Sequence, residues 1–221
     1  QASAVSVFER NTVTGQLTYR SSKTGLSAAF SVDVSSDNKS VYVASPTGSV
    51  VIALSRDLTT GELTETNRLG GSPTGGFVSV STSPDAKTVY GVGGSPSGLV
   101  VFNRDATTGS ITRLADYADN VSGNALGQVF SPAGSPIKNI ASSTDGRFVY
   151  VTSTIDNAVS LFSRDTTTGA LTLVSVYIDN VASVDGLLAA SSAKLSPDGK
   201  HLYVTGQGES SVAIFSVNST S

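Results

Sequence analysis

The stretch Ser196–Val217 reads Ser-Pro-Asp-Gly-Lys-His-Leu-Tyr-Val-Thr-Gly, then a short polar loop, then Ser-Val-Ala-Ile-Phe-Ser-Val. Asp-Gly favours a tight turn. The two runs that follow are rich in β-branched and aromatic residues and are bounded by turn residues, which is typical of strands. The pattern therefore predicts a turn, a strand, a second turn and a second strand.

The same unit recurs three times upstream. Its turn aspartates are Asp37, Asp85, Asp145 and Asp198. A second marker is a Thr-rich turn that ends in Gly, and it begins at Arg10, Arg56, Arg104 and Arg164. The two markers recur in step, every 46 to 60 residues. Such a period indicates one supersecondary unit that is used repeatedly.

Each full unit holds four short strands in meander order. A lone sheet of this size leaves two faces open, and radial stacking of such sheets buries both. We therefore expect an all-β fold, a β-propeller of four-stranded antiparallel blades, with about four blades per chain plus a surplus terminal strand. The whole chain, 1–221, is predicted to be one domain. Its repeat units are roughly 1–24, 25–70, 71–115, 138–177 and 190–217.

The surplus strand follows from counting. The sequence predicts 17 strands, one more than four blades require. Both 4–9 and Ser211–Val217 fit the third position of a closing blade. Three outcomes stay open: a small closed ring with a spare strand, a piece of a larger propeller, or exchange of strands between copies.

Two stretches carry a resemblance to a known family. Ser-Pro-Asp-Gly-Lys-His-Leu-Tyr-Val and Val-x-Leu-Phe-Ser-Arg-Asp-Thr-Thr-Thr-Gly-Ala-Leu-Thr resemble YVTN-type and lactonase-like β-propeller repeats. The resemblance covers nearly the whole chain and rests on turn and core residues. It implies a propeller, typically seven-bladed in that family, and a lactone hydrolase that in some members uses a bound divalent ion. This chain falls well short of seven blades.

Composition excludes some functions. The formal net charge is −3 and charged residues are 14% of the chain, so there is no basic footprint for nucleic acid. The apolar runs are far shorter than a membrane span. Without Cys, disulfides and thiolate metal sites are excluded. Three Asn-x-Ser/Thr triplets make Asn38, Asn120 and Asn218 glycosylation candidates and favour an extracellular or cell-surface location.

Candidate site residues gather on one face. The second-to-third-strand turns and the connections between units lie there, and we call this side the loop face. Calcium prefers several oxygen ligands, so the metal candidates are Asp156, Asp185 and Glu209. The candidate binding-loop residues are Asp119, Asn120, Asn157, Asp179 and Asn180. The only histidine, His201, begins a strand and does not predict a Ser-His-Asp triad.

The functional reading has two main branches. We favour a non-catalytic extracellular or surface propeller that binds or self-assembles, with a second copy, another protein or a glycan as partner. The low charge, the Ser/Thr/Gly surface and the surplus strand favour this reading. No cofactor is expected in it, and calcium is the only one considered. The alternative is a lactonase-like hydrolase with a divalent-metal or acidic loop-face site, and a third idea is a fragment without an independent role.

Overall fold

The computed structural model describes residues 3–71, 76–93, 98–118 and 137–218, and these residues form strands and turns. In the described part of the chain no helix is long and apolar enough to cross a membrane. The strands are β1 Ala4–Arg10, β2 Leu17–Thr24, β3 Ser31–Val34, β4 Ser40–Ser45, β5 Val50–Arg56, β6 Leu63–Gly70, β7 Phe77–Thr82, β8 Thr88–Gly93, β9 Gly98–Arg104, β10 Ile111–Ala118, β11 Ile137–Ser142, β12 Phe148–Ser153, β13 Ala158–Arg164, β14 Leu171–Ile178, β15 Ala190–Leu195, β16 His201–Gly206 and β17 Ser211–Ser216.

The strands form five sheets, which we number in chain order. Sheet I is β1-β2, sheet II is β3-β4-β5-β6, sheet III is β7-β8-β9-β10, sheet IV is β11-β12-β13-β14 and sheet V is β15-β16-β17. Neighbouring strands in each sheet are antiparallel. The first strands of sheets II to V contact one another in chain order and form the inner wall of the fold. The predicted all-β propeller of four-stranded antiparallel sheets is confirmed.

The two segments that both fit the third position of a closing blade, 4–9 and Ser211–Val217, lie in different sheets. Strand β1 pairs with β2 in sheet I, and β17 pairs with β16 in sheet V. Sheet I packs on sheet II through Val5, which contacts the core that contains Leu26 and Leu54. Within the described residues, sheet V therefore has three strands and the outer edge of β17 is open.

A hydrogen-bonded Ser-x-Asp turn joins the first and second strands of each full sheet. In sheet II the Ser35 hydroxyl donates to Asp37 at 2.6 Å, and the Lys39 amide donates to the same carboxylate at 3.1 Å. The following residue, Asn38, has φ 60°, a left-handed conformation that Asn and Gly adopt at little cost. The same contacts recur around Asp85, Asp145 and Asp198, so the predicted turn role of these aspartates is correct.

Apolar layers fill the spaces between neighbouring sheets. The layer between sheets II and III contains Tyr42 and Phe102, both fully buried or nearly so. Between sheets III and IV, Tyr90 and Phe162 take the same two places. Each sheet packs one face against the sheet before it and the other face against the sheet after it. The repeated Tyr and Phe lie in these layers and are therefore core residues, as the sequence pattern predicts.

Buried arginines also join the sheets. Arg104, at the end of the third strand of sheet III, reaches back to sheet II, where its guanidinium lies 2.9 Å from the Asp37 carboxylate. It also donates to the hydroxyls of Tyr42 and Ser40, at 2.9 Å each, and to the Ala86 carbonyl. Its side chain is only 1% exposed. We call this arrangement the arginine clamp.

A second clamp lies one sheet further along. Arg164 of sheet IV reaches the Asp85 carboxylate of sheet III at 3.0 Å and donates to the Thr88 hydroxyl at 2.8 Å. In the sequence each of these arginines is followed directly by an aspartate, Asp105 or Asp165, with which a local ion pair would be possible. Both arginine side chains cross to the preceding sheet instead.

The two clamps differ at their tyrosines, and this gives a matched test. The Tyr42 hydroxyl accepts from Arg104 and donates to the Gly109 carbonyl at 2.9 Å. Among the described residues, the equivalent Tyr90 hydroxyl and Arg164 Nε are buried and have no hydrogen-bond partner. We expect Tyr42→Phe to lower the free energy of unfolding by about 1–2 kcal/mol, because it breaks satisfied bonds, and Tyr90→Phe to change it by about zero. Urea denaturation of both variants measures the difference, and equal losses would refute the assignment.

The clamp and turn contacts also set the acid response. Burial alone would raise the pKa of Asp37, but the Ser35 hydroxyl, the Lys39 amide and the Arg104 guanidinium hold that pKa below its ordinary value. For Asp85, burial is likewise outweighed, and its turn contacts and Arg164 lower the pKa. A carboxyl whose folded pKa is depressed stabilises the fold above its unfolded pKa of about 3.9, and that contribution is lost as the pH falls through the folded pKa.

We therefore expect the free energy of unfolding to be nearly flat from about pH 5 to 8 and to fall below about pH 4. The double variant Asp37→Asn/Asp85→Asn should start from a lower value and show a shallower fall, since two of the linked carboxyls are gone. Denaturation at a series of pH values measures both curves. A fall that begins above pH 5, or an unchanged slope in the double variant, would contradict this prediction.

Candidate functional site

The connection between sheets IV and V, residues 179–189, lies on the loop face and is held by polar contacts. Asp179 is buried, and its carboxylate accepts from the Leu187 amide and from the Asn180 side-chain amide, at 2.9 Å each. The Asn157 side-chain oxygen accepts from the Ala189 amide at 2.8 Å, and its carbonyl accepts from the Asp179 amide at 2.9 Å. Three of the predicted binding-loop residues, Asn157, Asp179 and Asn180, thus come together.

The backbone of this connection is unusual. Four of its non-glycine residues have positive φ, between 49° and 67°: Asn180, Ala182, Ser183 and Ala189. Asn adopts this conformation at little cost, but Ala182, Ser183 and Ala189 each cost of order 1 kcal/mol, and the surrounding contacts must hold them in place. The side-chain bonds of Asp179 and Asn157 supply those contacts.

The turn between β16 and β17 approaches the same connection. Glu209 in that turn accepts from the Leu188 amide at 3.1 Å and from the Ser211 hydroxyl at 3.4 Å. Asp185 accepts from the Gly186 amide at 3.0 Å. Both carboxylates are exposed to solvent.

Three carboxylates meet where these segments cross. Asp179, Asp185 and Glu209 each place one oxygen within 4.8 Å of the other two, and we call them the carboxylate cluster. A calcium ion takes oxygen ligands at about 2.3–2.6 Å, so two ligands of one ion lie up to about 5 Å apart. The spacing and the hard oxygen donors therefore fit a divalent cation, with one carboxylate buried and two open to solvent.

The structure brings together two of the three predicted metal ligands. Asp185 and Glu209 lie in the carboxylate cluster, whereas Asp156 lies outside it and accepts from the Ser153 hydroxyl. Asp179 was predicted only as a binding-loop residue. Its signal in the sequence is its place directly after the last strand of sheet IV, opposite the turn that bears Glu209. Asp119 and Asn120 lie outside the described residues.

The glycosylation candidates stay predictions. Asn38 and Asn218 are exposed, and Asn120 lies outside the described part of the chain. The Arg56 guanidinium donates to the backbone carbonyl of Asn38 at 3.3 Å. This contact does not use the side-chain amide of Asn38, which is the group that a glycan would modify. Both described asparagines are therefore accessible in the way that glycan attachment requires.

A second polar region is a cavity of about 480 Å³ that lies along the first strands of sheets II to V. Asp33 on its wall accepts from the Thr82 amide and hydroxyl at 2.7 and 2.9 Å. Asn139 accepts from the Ala193 amide at 3.0 Å. These side chains bond the inner strands to one another, so the polar groups of this cavity serve mainly to join sheets.

Comparisons with known proteins place the fold. A family model described as lactonase, 7-bladed beta-propeller, matches residues 121–221. No curated protein matches the chain. The resemblance to lactonase-like propeller repeats is confirmed by this match and by the solved structures that follow.

Three solved structures are similar over nearly all of this chain. A periplasmic gluconolactonase from Pseudomonas aeruginosa is 18% identical, with a TM-score of 0.76 over 98% of this chain and 60% of its own. A protein from Lactobacillus plantarum is 20% identical, with a TM-score of 0.78 over 98% and 62%. The hydrazine synthase from Kuenenia stuttgartiensis is 15% identical, with a TM-score of 0.66 over 96% and 65%. At these identities the likeness shows the fold alone.

The chain spans about three fifths of the length of these structures. Together, the matches support a lactonase-like β-propeller fold for this chain.

Proposed function

We propose that this chain is a lactonase-like β-propeller that hydrolyses a lactone at its loop face, with the carboxylate cluster as the site of a divalent cation, calcium in the first place. The observation that carries the proposal is the convergence of Asp179, Asp185 and Glu209 from two segments of the chain within 4.8 Å. The similarity to a gluconolactonase fold and the lactonase family match support the choice of reaction.

The reaction class is simple. Water adds to the ring carbonyl carbon, the ring carbon–oxygen bond breaks, and the alkoxide leaving group takes up the proton that the water loses, which gives a hydroxy acid. A divalent cation, when bound, supplies Lewis-acid polarisation of the carbonyl. The protein chain itself holds in position the carboxylates that would bind the cation.

That ordering is visible in the contacts of each carboxylate. Asp179 is fixed by the amides of Leu187 and Asn180, and Glu209 by the Leu188 amide. Groups that are already held in position lose little freedom when they bind a ligand. Because Asp185 and Glu209 are exposed, solvent and substrate have access to the cluster from the loop face.

A second candidate function is a binding module without turnover. It is favoured by apolar side chains that stay exposed on sheet V, where Tyr203, Val212 and Ile214 are 40%, 58% and 63% exposed. Such a patch is typical of a surface that a partner covers. The partner, the extracellular location and the oligomeric state remain predictions.

The metal site is tested first. We expect calcium to bind in titration calorimetry, and we expect Asp185→Asn and Glu209→Gln each to weaken it at least about tenfold, since each removes one charged ligand. Glu62→Gln is the matched control, because it neutralises an exposed carboxylate in a turn of sheet II. Equal affinity in all four proteins would exclude the carboxylate cluster as the site.

Turnover is tested with δ-gluconolactone in a pH-indicator assay, corrected for spontaneous hydrolysis. The proposal predicts calcium-dependent hydrolysis that chelator removes and that both cluster variants lower at least about tenfold. Calcium binding without hydrolysis would favour the binding module. Hydrolysis that is insensitive to chelator and to both variants would place the reaction elsewhere on the chain.

A further inference from the structure

The dipeptide Asp-Gly occurs three times in the chain, at Asp145, Asp185 and Asp198. In this dipeptide the glycine amide nitrogen can attack the side-chain carboxyl of the aspartate, because a five-membered ring results and glycine has no side chain to obstruct the approach. Whether the reaction occurs in a folded protein depends on where the fold holds the two groups. The three sites therefore allow a comparison within one molecule.

In the turns that contain Asp145 and Asp198, the two reacting groups are bonded to other partners. The Asp198 carboxylate accepts from the Ser196 hydroxyl at 2.6 Å and from the Lys200 amide at 3.1 Å. The Gly199 amide donates to the Ser196 carbonyl at 2.9 Å. The turn around Asp145 has the same contacts. In both turns the glycine amide and the aspartate carboxylate are therefore held by different groups and are not directed at each other.

Asp185 and Gly186 are arranged differently. The Gly186 amide donates to the Oδ1 atom of Asp185 itself, at 3.0 Å. The carboxyl carbon is one bond away from that oxygen, so the nitrogen lies against the group that it would attack. Such an approach is typical of a near-attack arrangement, in which reacting atoms lie about 3–3.5 Å apart. Asp185 is also exposed, so that water has access to the carboxyl group.

The chain around this dipeptide fixes the attacking nitrogen. The Gly186 carbonyl accepts from the Ser211 hydroxyl at 2.9 Å. The next residue, Leu187, is fully buried, and its amide donates to Asp179 at 2.9 Å. Gly186 has φ 88°, a left-handed conformation that favours glycine. The nitrogen therefore lies on an anchored segment, and the exposed Asp185 side chain reaches it from the loop face.

We propose that Asp185 is a site of spontaneous covalent modification in the folded chain, at which it converts to isoaspartate through a cyclic imide with Gly186, and that the turns protect Asp145 and Asp198 from the same reaction. The inference does not depend on the proposed hydrolase activity. It requires no cofactor, oxidant or reductant, because water is the only molecule that leaves or enters.

The reaction has two steps. In the first, the Gly186 nitrogen bonds to the side-chain carboxyl carbon of Asp185 and loses its proton, and the carboxyl group loses one oxygen, so that one water leaves. In the second, one water adds to a carbonyl carbon of the ring. Breaking the bond from nitrogen to the side-chain carbonyl restores aspartate. Breaking the bond from nitrogen to the main-chain carbonyl gives isoaspartate, in which the main chain runs through the former side chain.

This conversion would change both the main chain and the carboxylate. The main chain becomes one methylene longer between residues 185 and 186, so the bonds of Gly186 to Ser211 and of Leu187 to Asp179 must shift. The free carboxylate is then attached directly to the α-carbon. The modified chain would thus lose one ligand of the proposed cation, a consequence that rests on the proposed function, whereas the isomerisation itself does not.

The test incubates the whole chain at neutral pH and body temperature for several weeks. A chelator is present throughout, so that the result is independent of any cation at the carboxylate cluster. Trypsin then separates the three sites, because it cleaves after Lys and Arg and yields the peptides 139–147, 165–194 and 195–200. Mass spectrometry with electron-transfer fragmentation distinguishes isoaspartate from aspartate in each peptide. We expect isoaspartate to form at Asp185 at least about tenfold faster than at Asp145 or Asp198.

Two controls separate the effect of the fold from that of the sequence. In guanidinium chloride the chain is unfolded, and the three Asp-Gly sites should react at similar rates. Asp185→Glu keeps the charge but would need a larger ring, so it should form no such product at residue 185. Equal rates at the three sites of the folded chain would overturn the proposal, and so would the same preference for Asp185 in the unfolded chain.

Discussion

The buried guanidinium groups of Arg104 and Arg164 decide how three of the sheets sit on one another. Each charge is almost completely shielded from solvent and is compensated by the turn aspartate of the preceding sheet, Asp37 or Asp85. An uncompensated charge at such a place costs several kcal/mol. The turn, the third-strand end and the spacing between sheets are therefore fixed together, because moving any of them exposes or separates the pair.

The contact between sheets IV and V lacks this constraint. At the clamp position of sheet V the chain has Val217, and Asp145 pairs with its neighbour Arg147 on the surface. The join depends instead on apolar packing, on Asn139 in the inner wall and on the connection 179–189. Among the described residues no ion pair joins sheet V to sheet IV, and sheet V borders the carboxylate cluster.

This placement gives the carboxylate cluster a structural role as well. A cation held by Asp179, Asp185 and Glu209 would tie the connection 179–189 to the β16–β17 turn of sheet V. A ligand that binds only the folded state stabilises it by a free energy that grows logarithmically with the ratio of its concentration to its Kd. A bound cation would therefore order a region that the arginine clamp does not reach.

Much of the architecture can be predicted from the sequence because the same pattern of turns and strands occurs in several repeats. The turn aspartates, the Tyr and Phe of the core and the number of strands were all predicted from period and alternation. The crossing of Arg104 and Arg164 was missed, because a local Arg-Asp pair and a contact between sheets have the same sequence. Spacing likewise placed Asp185 and Glu209 on the loop face, but only the folded path of the connection adds Asp179 and leaves Asp156 outside the carboxylate cluster.

The most direct test of the account is a double-mutant cycle on Asp37 and Arg104, with Asp37→Asn, Arg104→Met and the combined variant compared by urea denaturation. The same cycle on Asp145 and Arg147, an ion pair between half-exposed side chains, is the control. We predict a coupling energy of about 2–4 kcal/mol for the clamp and under about 1 kcal/mol for the surface pair. Similar small values for both cycles would show that the buried pair does not hold the sheets together and would contradict the account.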